Sequence, residues 1–597
     1  MIHADAIAPY LEISAYRSPA LEPNGGTDLV FISNQTGMAQ LWISDAQGTR
    51  QLTNHPEPVN SFAWNPKGAT LVFMADCGGD ERWQPYLLTV KTGAVRCLAD
   101  DPMTVHMWGA FSPDGTQIAL SANDSAKDQL DLCLIDIATG AKRKIGASMG
   151  HQEVLAFTPD GQQLLVKRTL GAASDQKLAF VEIASGQLRP ILDVPHRVKF
   201  SAARLLKAGG GVAICDFDGD RMSLWRFDAE GFCIGRLWGE DHYDLDAVTL
   251  LPDQSGAIIG VNEGGYSCLK MIDFATANSR DIALPLPAVA GSISLPGAGD
   301  TLLLSLNSTV QAPSIWEISL ADNAARALFR ATVETLDSDD FIAPSLEEFT
   351  SFDGLEVPYF LYIPKGDAPA DGWPSIFIIH GGPEAQWRPD FRADVQWMLA
   401  QGIAVIAPNV RGSTGYGRRY HGLDDREKRL DALADVTALR AHLVGAGTID
   451  GARTGIFGRS YGGYMVMAAL GETPDLWKFG VNFYGIGNFF THLLATGPWA
   501  RQMRVAEYGC PDTQADMVRR ISPVSQIARI TAPLLVVHAD RDPRVPPGES
   551  ETINSMMFGL GKRCQLLRIA HEGHGFNRIE NTRRVFTTLA EFIAKEL

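Results

Sequence analysis

The sequence is short of several things, and each shortage narrows what the chain does. No run of 18 apolar residues occurs in its 597 positions, so no membrane span is expected. Its eight cysteines (77, 97, 133, 215, 233, 268, 510 and 564) form no C-x-x-C pair, which argues against a zinc site or a disulfide framework and for a reducing, cytoplasmic compartment. The opening Met1-Ile2-His3-Ala4-Asp5-Ala6 has neither a basic nor an apolar stretch of the kind a signal peptide needs. Positive charge is also in deficit: 52 Lys and Arg stand against 69 Asp and Glu, a net charge of −17 that disfavours nucleic acid and anionic membranes. Apolar residues are not lacking, at 45%, and the length calls for two or more cores.

Residues 1–335 repeat. Short apolar strands begin at Leu41, Leu87, Leu134, Phe180, Leu224, Leu269 and Ile315, at steps of 46, 47, 46, 44, 45 and 46. Pro66-Lys67-Gly68, Pro113-Asp114-Gly115 and Pro159-Asp160-Gly161 keep the same beat as hairpin turns. About four short strands fit each unit. A lone four-stranded sheet cannot bury its own faces, but seven stacked radially can, so the period predicts a seven-bladed β-propeller. Asp80-Glu81-Arg82, the one acidic pair here considered for an amino group, is read as a solvated loop.

The pattern changes after an acidic, poorly periodic linker at 331–345. Residues 336–597 alternate apolar strands with helices, as in Ser375 to Ile379, Ile403 to Ala407 and the helical stretch Leu430 to Leu443. Continuous apolar strands are buried on both faces, which predicts a doubly wound, mostly parallel α/β-hydrolase sheet. The first 25 residues or so are expected to pack on this second domain.

Chemistry gathers at the strand ends. Gly458-Arg459-Ser460-Tyr461-Gly462 lies between the apolar pair Ile456-Phe457 and a helical run, the context of a nucleophile elbow. Gly146-Ala147-Ser148-Met149-Gly150 matches the same pattern but precedes no helix, and is read as a loop. His380-Gly381-Gly382-Pro383 offers backbone N–H groups at a strand end, as an oxyanion hole requires. Asp540, Asp542, His571 and His574 follow two later strands. The order serine, acid, histidine is that of α/β-hydrolases. The two histidines are three apart between glycines, so they are not the i,i+4 pair of a zinc helix. His574 has the freer loop, and His571 is read as structural. Spacing alone leaves Asp540 and Asp542 open.

Together, His380 to Pro383, Asn409-Val410-Arg411-Gly412-Ser413-Thr414-Gly415-Tyr416-Gly417, Gly458 to Met465, Ile521-Ser522-Pro523, Asp542-Pro543-Arg544-Val545 and Glu572 to Phe576 resemble the prolyl oligopeptidase family of serine peptidases, with acylaminoacyl-peptidase-like bacterial members the nearest in look. The resemblance implies Ser460 as nucleophile, His574 as base and Asp542 as its orienter. It implies Tyr461 and Gly382 as oxyanion donors and Arg544 as a holder of a substrate carbonyl. Ile486, Phe489 and Val545 match the apolar pocket for the side chain next to the scissile bond. It also implies a short peptide or acyl-peptide substrate and a propeller that restricts entry. No metal or cofactor is expected, and a homo-oligomer stays open. The chain departs from the family pattern between Tyr420 and Leu433. An esterase or amidase with the same triad, and a propeller scaffold with an idle hydrolase, are the competing readings.

Overall fold

The computed structural model describes residues 2–297, 299–332 and 335–597, so the linker expected over 331–345 falls partly outside the described residues. Seven four-stranded antiparallel sheets follow one another in sequence from Tyr16 to Phe329, each built from consecutive strands. The repeat detected in the sequence is the third strand of each sheet, from Gln40–Asp45 through Asp131–Asp136 to Gln311–Ser319. The Pro-x-Gly turns join first strand to second. Gly115 adopts φ +72, and a Cβ there would meet Asn65 Oδ1 of the preceding sheet at 2.2 Å. Asn65 instead donates to the Gly115 carbonyl at 2.9 Å, tying neighbouring blades together.

Blade stacking provides the cores. Leu132 and Leu134 of one sheet bury against Val154, Leu164 and Val166 of the next. Each such side chain is worth about 1.5–3 kcal/mol of burial. The ring closes through apolar packing: Leu29 and Phe31 meet Leu303 and Ile315, and the Phe31 and Phe329 rings lie 4.4 Å apart.

The remaining sheet has eight strands in the order Ser345–Thr350, Glu356–Tyr362, Ala404–Pro408, Trp373–Ile379, Ile449–Arg459, Gly480–Phe483, Leu534–Ala539, Cys564–Ile569. The first two pairings are antiparallel and the rest parallel. Side chains alternate across it. Phe377 and Ile379 enter one core with Tyr461 and Tyr464, while Ile376 and Ile378 enter the other with Trp397 and Leu589. Ile7 and Leu11, ahead of the first blade, also lie in that second core, against the helix Ile579–Glu596. No helix among the described residues is long and apolar enough to cross a membrane.

Ion pairs join propeller to hydrolase. Arg418 meets Asp216 at 2.8 Å, Arg388 meets Asp246 at 2.7 Å and Arg578 meets Glu57 at 2.7 Å. Between the two parts lies a cavity of about 360 Å³, lined by Lys199, Asp244 and Asp246 on one side and Glu384, Arg388 and His421 on the other.

Candidate active site

The strand Ile449–Arg459 ends at Ser460, and the helix Tyr461–Glu472 begins immediately after it. Ser460 has φ +58 and ψ −121, a conformation that costs a non-glycine residue of order 1–3 kcal/mol and persists only when its surroundings fix it. Its N–H donates to the Phe483 carbonyl at 2.9 Å, and its own carbonyl accepts from Tyr464 N–H at 3.0 Å. The flanking glycines are there for space: a Cβ on Gly458 would lie 2.1 Å from the Gly462 carbonyl oxygen, and one on Gly462 would lie 2.1 Å from that of Ile379. Gly381, at the end of Trp373–Ile379, comes so close that a Cβ there would sit 4.0 Å from Ser460 Oγ.

Two later loops bring a histidine and a carboxylate together. His574 Nδ1 and Asp542 Oδ2 are 2.7 Å apart. A carboxylate only accepts, so Nδ1 carries the proton and Nε2 is left with its lone pair, the form a base needs. Asp542 also accepts from the N–H groups of Arg544 and Val545, each at 2.9 Å. Burial opposes its charge, but hydrogen bonds from His538 and His574 outweigh that and hold the carboxyl well below the usual carboxylate range. Asp540, the competing acid, is taken by Arg568 at 2.5 Å. His571 is exposed in a turn at φ +58, and of the two histidines it is His574 that meets the acid.

The residues implied for the substrate divide into two groups. Ile486, Phe489 and Val545 are buried in one cluster with Tyr461 and Tyr464. Phe489 packs between Tyr464, which it meets edge-on, and Tyr508, with ring centres 5.0 and 4.6 Å away. Arg544 instead reaches across the domain boundary to Glu81 at 2.7 Å. The reading of Asp80-Glu81-Arg82 as a solvated loop is therefore corrected. Gly79 lets this propeller loop approach so closely that a Cβ on it would lie 2.1 Å from the Gly573 nitrogen, one residue from His574. Ser148 of the second serine motif lies in a surface loop, bonded to Lys144 and Asp131.

Three further residues have roles the sequence did not reveal. Glu572 is buried and accepts from the N–H groups of Asn577 and Arg578, each at 3.0 Å, pinning the loop that carries His574. His538 donates from Nε2 to the Val545 carbonyl at 2.9 Å and bonds Ser550 through Nδ1, bracing the Asp542 loop from beneath. His492 packs on Phe489 and Tyr508, and burial, with the Arg504 charge adding, pushes its imidazole down to about 3. Only the short E-G-H-G run hinted at any of these, because side-chain packing across distant segments leaves no local pattern.

The propeller loop carries one ionisable group with a large shift. Burial pushes the Asp76 carboxyl up to about 6, Asp80 and Glu57 add to this, and a hydrogen bond from Glu81 N–H opposes it. The fold thus keeps a proton that the unfolded chain releases near pH ~4. Stability is full below that value and falls as pH rises through 6. Asp76→Asn is expected to melt higher than the parent at pH 8 and together with it near pH 4. An equal gap at both values in calorimetry would show that the carboxylate charge is not the cause.

A strained serine at a strand-to-helix turn, a His–Asp pair from the next loops and a propeller over the sheet define a capped α/β-hydrolase. Residues 389–597 match the model of the prolyl oligopeptidase family. Dipeptidyl aminopeptidase BIII of Pseudoxanthomonas mexicana is 25% identical over 96% of this chain and 85% of its own. The prolyl endopeptidase of Elizabethkingia miricola is 25% identical over 52% of this chain and 45% of its own. Among solved structures, a prolyl endopeptidase superposes over 100% of this chain and 92% of its own with a TM-score of 0.87 at 17% identity. A puromycin hydrolase does so over 100% and 96%, also with a TM-score of 0.87, at 20% identity. Residues 389–597 are therefore similar to the peptidase domain of the prolyl oligopeptidase family, and the chain is a serine peptidase.

Proposed function

We propose that the enzyme hydrolyses short peptides through an acyl-enzyme on Ser460. His574 Nε2 takes the hydroxyl proton as Ser460 attacks the carbonyl, and later gives it to the leaving amine. Asp542 keeps the imidazole in the required tautomer. The N–H groups of Tyr461 and Gly382 hold the oxyanion, and water then releases the acid. The observation that carries this reading is the 2.7 Å bond between His574 and Asp542, in loops that leave the same edge of the parallel sheet as the serine at φ +58.

The aromatic cluster of Phe489, Tyr464 and Tyr508, with Ile486 and Val545, favours an apolar side chain next to the scissile bond. Residues 1–335 serve as the cap and 336–597 as the hydrolase, with the segment before the first blade on the hydrolase. Dipeptidyl or acylaminoacyl release both suit a short substrate. Eight free thiols suit a reducing, cytoplasmic setting.

The test is a panel: alanyl-phenylalanine p-nitroanilide with a free or acetylated amino group, p-nitrophenyl butyrate, and a folded protein. Cleavage of either anilide at a kcat/KM well above that for the ester, with the folded protein intact, is the expected result. Turnover of the ester alone would move the enzyme to the esterases. Preference between the two anilides separates aminopeptidase from acylpeptidase action.

A further inference from the structure

Beneath the elbow lies a charged cluster that the triad does not use. The Arg429 side chain has no solvent exposure. Its Nη1 donates to Asp424 Oδ2 at 2.8 Å, and its Nη2 donates to the Glu507 carboxylate and carbonyl. The guanidinium carbon stands 5.1 Å from the centre of the Tyr461 ring and 4.8 Å from that of Tyr508. The Tyr461 hydroxyl donates to the same Asp424 oxygen at 3.2 Å. Gly412 closes the back of the nest, since a Cβ there would lie 2.2 Å from the Asp424 carboxylate. Asp424, Asp425 and Glu507 bring ligand oxygens within 4.8 Å of one another, but two of the three already bind Arg429.

A buried ion pair is weak evidence for stability, because well-packed apolar side chains often serve as well. What apolar packing cannot supply is direction. Here the cation fixes the Tyr461 ring from its face, and the acid fixes it from its hydroxyl. Tyr461 follows the nucleophile directly. The segment supplying both Asp424 and Arg429 is the one where the sequence departs from its family resemblance.

We propose that Arg429 is a positioning residue for acyl transfer: with Asp424 it fixes Tyr461 so that the Tyr461 amide N–H meets the developing oxyanion. This rests on the assignment of that amide as an oxyanion donor in the reading above. Donors aimed at transition-state charge raise kcat rather than substrate affinity, and small displacements cost much of their effect.

The full-length enzyme tests this with alanyl-phenylalanine p-nitroanilide, the corresponding peptide aldehyde and the free product dipeptide. The aldehyde forms a tetrahedral adduct on Ser460 that needs the oxyanion donors, whereas the product does not. Tyr461→Phe removes only the hydroxyl bond and is expected to lower kcat about fivefold, with KM within about twofold. Arg429→Lys keeps the charge, loses the fork, and is expected to lower kcat about tenfold or more. In both variants aldehyde affinity should fall with kcat/KM while product affinity holds. Sites are counted by fluorophosphonate titration, so loss of folded enzyme is scored separately. The proposal is overturned if titrated sites keep their kcat and aldehyde affinity within twofold, whatever happens to the melting temperature. If Arg429→Lys does not fold, Tyr461→Phe decides alone. Labelling of a residue other than Ser460 would instead sink the assigned function.

Discussion

Ser460→Ala is expected to lower kcat by on the order of 10⁴-fold or more and to abolish fluorophosphonate labelling. The fold should survive, because the strain at φ +58 is imposed by the backbone bonds to Phe483 and Tyr464, and alanine leaves both in place. Melting temperature and near-ultraviolet dichroism check that point. Ser148→Ala is the control. Its hydroxyl bonds Lys144 and the buried Asp131 within the propeller, so activity should be unchanged. A Ser148 variant that lost activity, or a Ser460 variant that kept it, would refute the assigned nucleophile.

The second large effect is expected from Asp542→Asn, at roughly 10⁴-fold in kcat. The amide can still accept from Arg544 and Val545, so the loop should hold its shape. Its other end then presents the amide nitrogen to His574 Nδ1. That drives the imidazole proton to Nε2, where it prevents His574 from taking the Ser460 hydroxyl proton. KM should change little, since Asp542 is buried and touches no substrate in this scheme. Asp540→Asn is the informative comparison, because Asp540 pairs with Arg568 instead of His574. Its expected effect on kcat is within about twofold, as for most exposed ion pairs. Equal losses in the two variants would mean that the carboxylate partner of His574 has been misassigned.

Periodicity made the architecture legible. The third strand of each blade carries consecutive apolar residues at a steady interval, and a sheet packed on both faces imposes that pattern on any sequence that forms it. The elbow was legible for a different reason: Gly458 and Gly462 answer to contacts of 2.1 Å that no other residue type survives. Contacts between segments far apart were not legible. Glu81 reads as one acid in a hydrophilic loop, and only the docking of that loop on Gly573 turns it toward Arg544. Arg429 sits in a highly charged run noted only as a departure from the family pattern, yet it is buried among Asp424, Glu507 and two tyrosine rings. Local composition cannot distinguish a charge that faces water from one that meets four partners, three of them brought in by the fold.

Ile7 and Leu11 share a core with Val585, Leu589 and Ile593, so the hydrolase is stitched from segments at opposite ends of the sequence with the propeller between them. During synthesis the earliest of these side chains leave the ribosome and wait for the latest, about a minute or so at 5–20 residues per second. Each blade can meet its neighbour in the meantime, because its four strands are consecutive. Ring before sheet is therefore the expected order of assembly on the ribosome. The nucleophile elbow is translated well before the helix Ile579–Glu596 completes the core beneath its sheet, so the peptidase stays unassembled until its propeller has already formed.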